Sequence, residues 1–470
     1  MANPIPPAAP VTTAIFLLMQ EVFHKESEFS PIWRNILYDL ISNPSILLLM
    51  ERSYALELDR LDPLNQYKKL FYIDDNSVCY LDGNSLGRLP IETIQAVEDL
   101  LKNEWGKKIV GGWTDWIDKA QSIGDLIGRS SLGAAPGQTL ALDTNTINLY
   151  QLAWAAVKSN PSRKKILIDR ANFPSDRYAM EGIANDLGME LVYIENEDLR
   201  ESENEIISNE LLSKYLDKDV ALVTLQIIQY RSGGLNDYAS IEKTVRDNGS
   251  LMLWDCSHAI GSVNLQFDKH KIGLAVGCTY KYGNSGPGAP GWLYVSTELQ
   301  QKLNVPIRGW FGVKNQFAMG PVFERSASIR GFQISTPPII GLKAVEVGFK
   351  MIEAATMELI NEKCLKGTDL MIALYDEWLK PLGFKLATPR DSTKRCGHII
   401  ITHQDGAQIA VALRQLKNVF PDYREPNGIR FSFSPLPTSF VEVYDGFKRL
   451  KELAESGEYK TVTAQGSKVT

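Results

Sequence analysis

LMLWDCSHAIGSVNLQFDKHKIGLAVGCTYKYGNSGPGAPGWL, residues Leu251–Leu293, is the stretch from which the rest of the chain is read. It opens on an apolar run, Leu251–Trp254, that ends in Asp255, and it carries Lys281 between two tyrosines. A loop of glycine and proline follows (Gly283, Gly286, Pro287, Gly288, Pro290, Gly291), then a second apolar run, Trp292–Val295. An acid at the C-terminal end of a buried strand, followed by a lysine between apolar elements, suits one chemistry. The lysine amine can hold an aldehyde cofactor as a Schiff base, and the acid can keep that cofactor's pyridine nitrogen protonated. The cofactor of that description is pyridoxal 5′-phosphate. Taken alone, Asp255 and Lys281 also read as a buried strand end and a surface lysine beside a turn.

Outward from this stretch, short apolar runs alternate with helical patterns. Strands are predicted at Lys165–Asp169, Glu190–Ile194, Val220–Gln226 and Leu251–Asp255, with helices at 177–187, 204–216 and 239–247 between them. This alternation predicts an α/β fold with a mostly parallel sheet and helices on both faces. Such sheets bind ligands at the C-terminal ends of their strands. Thr144–Thr146, Phe173–Asp176, Gln226–Tyr230 and Asp255–His258 all fall at such ends. Asp143, Thr144, Asn145 and Thr146 stand where a helix N-cap and first turn belong, a natural phosphate cup or an ordinary cap. DGNSLG (82–87) is a polar turn with two glycines before Pro90, which starts the helix 91–105. A long helix, 342–357, leads to a smaller region with helices at 368–380, 406–416 and 439–455 and strands at 384–387 and 398–402.

The expected organisation is a helical extension over 1–50, a large domain over 51–345, a small C-terminal domain over 346–458 and a loose tail over 459–470. Residues 51–105 are a candidate for packing on the small domain. In the extension, 14–23 and 32–50 carry helically spaced apolar residues after a proline-rich start. A chain of 470 residues with net charge −6 offers no basic surface for nucleic acid. Its five cysteines are scattered without a CxxC pair, and no two of its five histidines have metal-ligand spacing. That pattern predicts reduced thiols in the cytoplasm. The apolar runs are too short to cross a bilayer.

The segments YLDGNSLG (80–87), DTNTINL (143–149), FPSD (173–176), YRSG (230–233), WDCSHAIG (254–261), CTYKYGNSGPGAP (278–290), GWFG (309–312), STPPI (335–339) and YREPNGIRFSFSPL (423–436) stand in this order. With them the chain resembles the kynureninases, fold-type I pyridoxal-phosphate enzymes of the class-V aminotransferase superfamily, nearest the bacterial branch. The resemblance covers roughly residues 56–459. It implies a large domain with a seven-stranded, mostly parallel sheet and a smaller C-terminal α/β domain. It also implies a hydrolase acting on C–C bonds in ketonic substances, which cleaves L-kynurenine to anthranilate and L-alanine. Another pyridoxal-phosphate lyase or hydrolase acting on a different β-substituted amino acid is the alternative. A non-catalytic cofactor-binding protein is a third reading, against which the presence of both Lys281 and Asp255 counts.

The resemblance assigns roles residue by residue. Lys281 would carry the cofactor and move the Cα proton, and Asp255 would pair with the pyridine nitrogen. His258 would orient that region or contact the cofactor, or be a structural histidine. Phe173 would stack on the ring, with Asp176 at the same ring edge as Asp255. Asn145 and Thr146 would take the phosphate. Tyr280 would donate to the phosphate and serve as proton donor at the β-carbon. Trp310 and Thr336 would be phosphate ligands supplied by the second subunit of a homodimer. Arg430 would grip the substrate α-carboxylate with two parallel hydrogen bonds, with Asn84 also on the substrate side. The sequence departs from the family at Gln226 (usually a small hydroxyl residue), Pro437 (usually tyrosine) and Gly283 (usually leucine), and in a short GGWTDW loop (111–116). These departures are expected around the substrate more than around the cofactor.

Overall fold

Most of the predicted strands are runs of apolar residues with no polar alternation, a pattern that puts both faces of a central strand into the interior. In the computed structural model, which describes residues 51–195 and 205–463, all seven residues of Val220–Gln226 are buried. Numbered along the chain, the strands are β1 (Cys79–Tyr80), β2 (Thr139–Ala141), β3 (Lys165–Asp169), β4 (Glu190–Ile194), β5 (Val220–Gln226), β6 (Leu251–Asp255), β7 (Leu274–Gly277), β8 (Trp292–Val295), β9 (Lys385–Leu386), β10 (His398–Thr402), β11 (Val419–Phe420), β12 (Asp422–Arg424) and β13 (Gly428–Ser432). Seven of them form one sheet in the order β2-β8-β7-β6-β5-β3-β4. Only β8 runs antiparallel to its neighbours.

Alternation along each strand sends side chains to two cores. Leu167, Val223, Leu225, Trp254, Ala275 and Trp292 join one apolar layer, and Ile166, Ile168, Leu222, Leu253, Leu274 and Leu293 join the other. Helices Asn145–Ser159 and Pro174–Leu187 pack on the second layer, and helix Ile339–Ala355 on the first. Each fully buried Leu, Ile or Val contributes about 1.5–3 kcal/mol. The strand order reverses between β3 and β5, and such a reversal leaves a crevice at the strands' carboxyl ends.

The remaining sheet is antiparallel, in the order β12-β13-β10-β9. β1 pairs in parallel with β11, so residues 79–80 lie against the C-terminal part of the chain. Glu442 strengthens that attachment, accepting from Tyr80 N at 2.9 Å and pairing with Lys68 and Arg88 at 2.9 Å each. Two compact units divide at Leu58/Asp59. Of the first, 51–58 are described, and 52–58 belong to helix Arg52–Leu61. The expected helices at 14–23 and 32–50 lie outside the described residues.

Several boundaries differ from the sequence reading for physical reasons. The long helix runs Ile339–Ala355 and stops at Thr356, whose φ of +65° no helix allows. A second helix, Met357–Leu374, begins at once and continues as a π-turn over Tyr375–Leu379. The helix expected over 204–216 is the short Asn209–Ser213, because Ser208 caps it by accepting from Leu211 N at 3.2 Å. β7 was not predicted, since four residues are too few for a period to show. The tail expected to loosen at 459 is held as far as Val462: Tyr459 is buried, and Gln408 Nε2 donates to Val462 O at 2.6 Å.

Candidate active site

The loops at the carboxyl ends of β2, β3, β5, β6 and β7 enclose a cavity of about 580 Å³. Asp143–Thr146, Phe173, Ser175, Asp176, Gln226, Asp255, Ser257, His258, Cys278, Tyr280 and Lys281 line it, with the 288–291 loop, Thr336 and Pro338. Nine sequence-chosen residues thus share one space: Asn145, Thr146, Phe173, Asp176, Asp255, His258, Tyr280, Lys281 and Thr336. Lys281 Nζ stands 2.8 Å from His258 Nε2. Burial holds the Lys281 amine below the ordinary lysine range, so less is needed to free it of its proton.

Asp255 and Asp176 are 3% and 2% exposed. Burial first, and then the charge of Asp255, push Asp176 well above the usual carboxylate range, so Asp176 keeps its proton. Asp255 Oδ1 accepts from Ser257 N at 2.7 Å, while Asp176 Oδ2 is buried without a partner. Phe173 precedes the helix Pro174–Leu187, and its ring meets Tyr230 edge-on at 5.2 Å.

Thr144, not Asp143, caps the helix Asn145–Ser159, accepting from Ile147 N at 3.3 Å. Asn145 and Thr146 therefore occupy its first turn, where backbone N–H groups have no intrahelical partner and the helix dipole favours an anion. A Cβ on Gly291 would lie 3.1 Å from Asn145 N, so glycine leaves that N–H clear. Neighbouring Cys278 and its own burial raise the Tyr280 hydroxyl above the ordinary tyrosine range, so it stays a donor at neutral pH.

Three chosen residues lie off the cavity wall. Trp310 is 41% exposed and packs edge-on with Phe311. Arg430 is fully buried, and its fork is already engaged. It pairs with Asp422 and donates to Tyr230 O, to Ser85 Oγ at 3.0 Å and, through Nε, to the Asn84 amide oxygen at 2.9 Å. Asn84 in turn donates to Asp82 Oδ1 at 3.2 Å. Burial, together with the charge of Asp422, pushes Asp82 up to about 6.

The two glycines of DGNSLG follow from close contacts. A Cβ on Gly87 would collide with Lys281 O, and one on Gly83 would collide with Ser434 Oγ. Gly87 N donates to Tyr280 O at 2.8 Å. Sequence reasoning passed over Ser257, His398 and Asp422. Ser257 was legible, two residues past Asp255. The other two depend on strand register, which sequence does not display. Of the family departures, only Gln226 lines the cavity. Gly283 packs against Gly348 and Phe349 of the long helix, and Trp116 of the short loop donates to Glu104 Oε2 at 2.8 Å.

A family profile described as Kynureninase C-terminal domain matches residues 360–450. Kynureninase from Pseudomonas fluorescens is 33% identical over 412 residues, which is 86% of this chain and 95% of that protein. Kynureninase from Burkholderia pseudomallei is 34% identical over 416 residues, 87% of this chain and 97% of that protein. The chain belongs to the kynureninase family. Among solved structures, apo cysteine desulfurase from Thermococcus onnurineus superposes with a TM-score of 0.72 at 17% identity, covering 83% of this chain and 98% of that one. A mutant of C-DES with glycine covalently linked to its pyridoxal-phosphate cofactor superposes at 0.68 and 15% identity, covering 80% and 97%. The fold is accordingly fold-type I, and kynureninases are pyridoxal-phosphate-dependent hydrolases.

The donor set fits that group. An amine of lowered basicity, a buried carboxyl pair with an unpartnered oxygen, and free N–H groups at a helix start suit its aldehyde, ring nitrogen and phosphate respectively.

Proposed function

We propose that this chain hydrolyses the β,γ carbon–carbon bond of L-kynurenine, releasing anthranilate and L-alanine. The observation that carries the proposal is the gathering of Lys281, His258, Asp255, Asp176 and the Asn145–Thr146 helix start around one cavity in a chain of this family. Pyridoxal 5′-phosphate, when bound, supplies an aldehyde for amines and a ring that takes up electrons from the substrate's α-carbon.

The chain's own residues do the rest. Lys281 would hold the cofactor's aldehyde and would move the proton at the substrate's Cα. Asp255, with Asp176 beside it, would hold the ring nitrogen and keep it charged, and Phe173 would pack on the ring. Asn145 and Thr146 hold the phosphate. Tyr280 donates there and delivers the proton to the β-carbon. Arg430 and Asn84 hold the α-carboxylate end. For this, Arg430 must exchange one of its present partners for the substrate, and the Tyr230 carbonyl, an uncharged acceptor, is the one given up most cheaply.

Anthranilate fluorescence during incubation with L-kynurenine tests the proposal. Steady production dependent on enzyme concentration is expected. No product at high enzyme loading overturns it and favours another β-substituted amino acid, a reading to which Gln226 on the cavity wall gives weight.

The reading extends to a homodimer in which Trp310 reaches the partner's phosphate, whereas Thr336, expected to come from the second subunit, already lines this chain's own cavity. Trp310, Phe317, Met319 and Val322 are 41%, 66%, 70% and 72% exposed, a concentration of apolar surface that asks for cover. Sedimentation of fully active protein as a monomer would remove that part. All five cysteines are free and buried, which supports a cytoplasmic setting. Among the described residues no helix is long and apolar enough to cross a membrane.

A further inference from the structure

Behind Lys281 lies a second imidazole that the proposed chemistry does not use. His398 opens β10 and stands opposite Ser432 of β13, as Ile400 stands opposite Arg430. Residues two apart on a strand share a face, so His398 and Arg430 project from the same side of the sheet. His398 is fully buried, and its ring centroid lies 5.3 Å from that of His258. His258 Nε2 is in turn 2.8 Å from Lys281 Nζ. Nδ1 of His258 and both ring nitrogens of His398 are buried without a formed hydrogen bond, a rare condition for polar atoms.

Burial, then the positive charges of Lys281, Arg430 and Arg424, hold His258 neutral, and burial with the same three charges does so for His398. The Tyr230 carbonyl, which also accepts from Arg430, works the other way on His398. Lys281 is faced by Cys278, Arg430, Asp255 and Arg424 as well.

A neutral imidazole has one N–H. If Nε2 of His258 is to accept from a charged nitrogen at Lys281, the hydrogen must sit on Nδ1, and it then needs an acceptor. If the hydrogen sits on Nε2 instead, His258 presents a donor to Lys281 and opposes charge there. The tautomer of His258 therefore sets how readily the lysine nitrogen keeps its proton.

We propose that His398 is a positioning residue that accepts from Nδ1–H of His258, fixes its tautomer, and so holds a proton at the Lys281 nitrogen. The proposal rests on reading Lys281 as the lysine that carries the cofactor. Its test is a pH titration of the visible absorption of the bound cofactor in the holoenzyme, compared with His398→Leu and His398→Gln. Leucine removes the acceptor, and the midpoint should move down by on the order of one pH unit. The acidic limb of kcat/KM should move with it. Glutamine can both accept and donate, and should restore the midpoint close to its original place. A leucine variant with an unmoved midpoint, or leucine and glutamine variants shifted alike, overturns the proposal. Should the leucine variant fail to fold, a glutamine variant displaced by a full unit overturns it too. A Lys281→Ala control that keeps the lysine-type band would sink the lysine reading, a result distinct from an unmoved midpoint.

Discussion

Lys281→Ala is expected to yield a folded protein that no longer reacts covalently with pyridoxal 5′-phosphate and has lost nearly all turnover. Loss of proton transfer alone removes roughly 10²–10⁴-fold in rate, and loss of the covalent attachment adds to that. The fold should survive because Lys281 is only half-buried and lines a cavity, so truncation enlarges existing space instead of opening a hole in packed apolar side chains. The measurement is borohydride reduction followed by peptide mapping, with the visible spectrum alongside. An adduct still formed in the variant, on another lysine, would show that the attachment site had been misassigned.

Arg430→Ala is expected to damage both stability and substrate binding. Asp422 is fully buried and would lose Arg430 while keeping its pair with Arg424 Nε at 2.7 Å, so the cost should fall below the roughly 3–5 kcal/mol of a buried charge left with no partner. Asp82 adds a pH signature. Its carboxyl has a folded value of about 6 against 3.8 unfolded, with Arg430 among the groups pulling it down. A group raised on folding holds its proton longer in the native state, so its contribution improves as pH falls through that window and worsens as pH rises. Removing Arg430 raises Asp82 further. The variant's deficit should therefore be smaller near pH 5 than near pH 8, as read by chemical denaturation at both. Arg430→Lys separates the two roles. It keeps a charge for Asp422 and should recover most of the stability. It lacks the planar fork, and amino-acid binding should stay about 10- to 100-fold weak, the equivalent of one charge-assisted hydrogen bond. Cofactor affinity should change little in Arg430→Lys. Equal losses for substrate and cofactor would contradict a carboxylate role.

What sequence made legible was whatever physics writes along the chain. Strands buried on both faces are unbroken apolar runs, so Lys165–Asp169, Val220–Gln226 and Leu251–Asp255 were read to the residue, as was Glu190–Ile194 at the sheet edge, where only Ile194 is fully buried. A parallel sheet puts strand ends on one edge, and most of the cavity wall was readable from that rule. What physics writes across the chain was not legible. Asp422 reaches Arg430 through the register of an antiparallel sheet, and His398 meets His258 across two different sheets, and nothing local to any of these residues announces it. The positive φ of Thr356 ends the long helix next to its expected end at 357, but nothing in the sequence showed that the following helix begins at Met357 and not at 368.

The DGNSLG loop touches Lys281 through Gly87 at one end and Arg430 through Asn84 and Ser85 at the other. Six residues thus act as a ruler between the backbone that carries Lys281, proposed to hold the cofactor, and the guanidinium proposed to meet a substrate carboxylate. Every α-amino acid has the same span between its amine and its carboxylate. The ruler therefore measures what all such substrates share and is blind to what hangs from their β-carbons. New substrate preferences could arise by recarving the far wall, Gln226 included, while the gauge for the common end stays untouched.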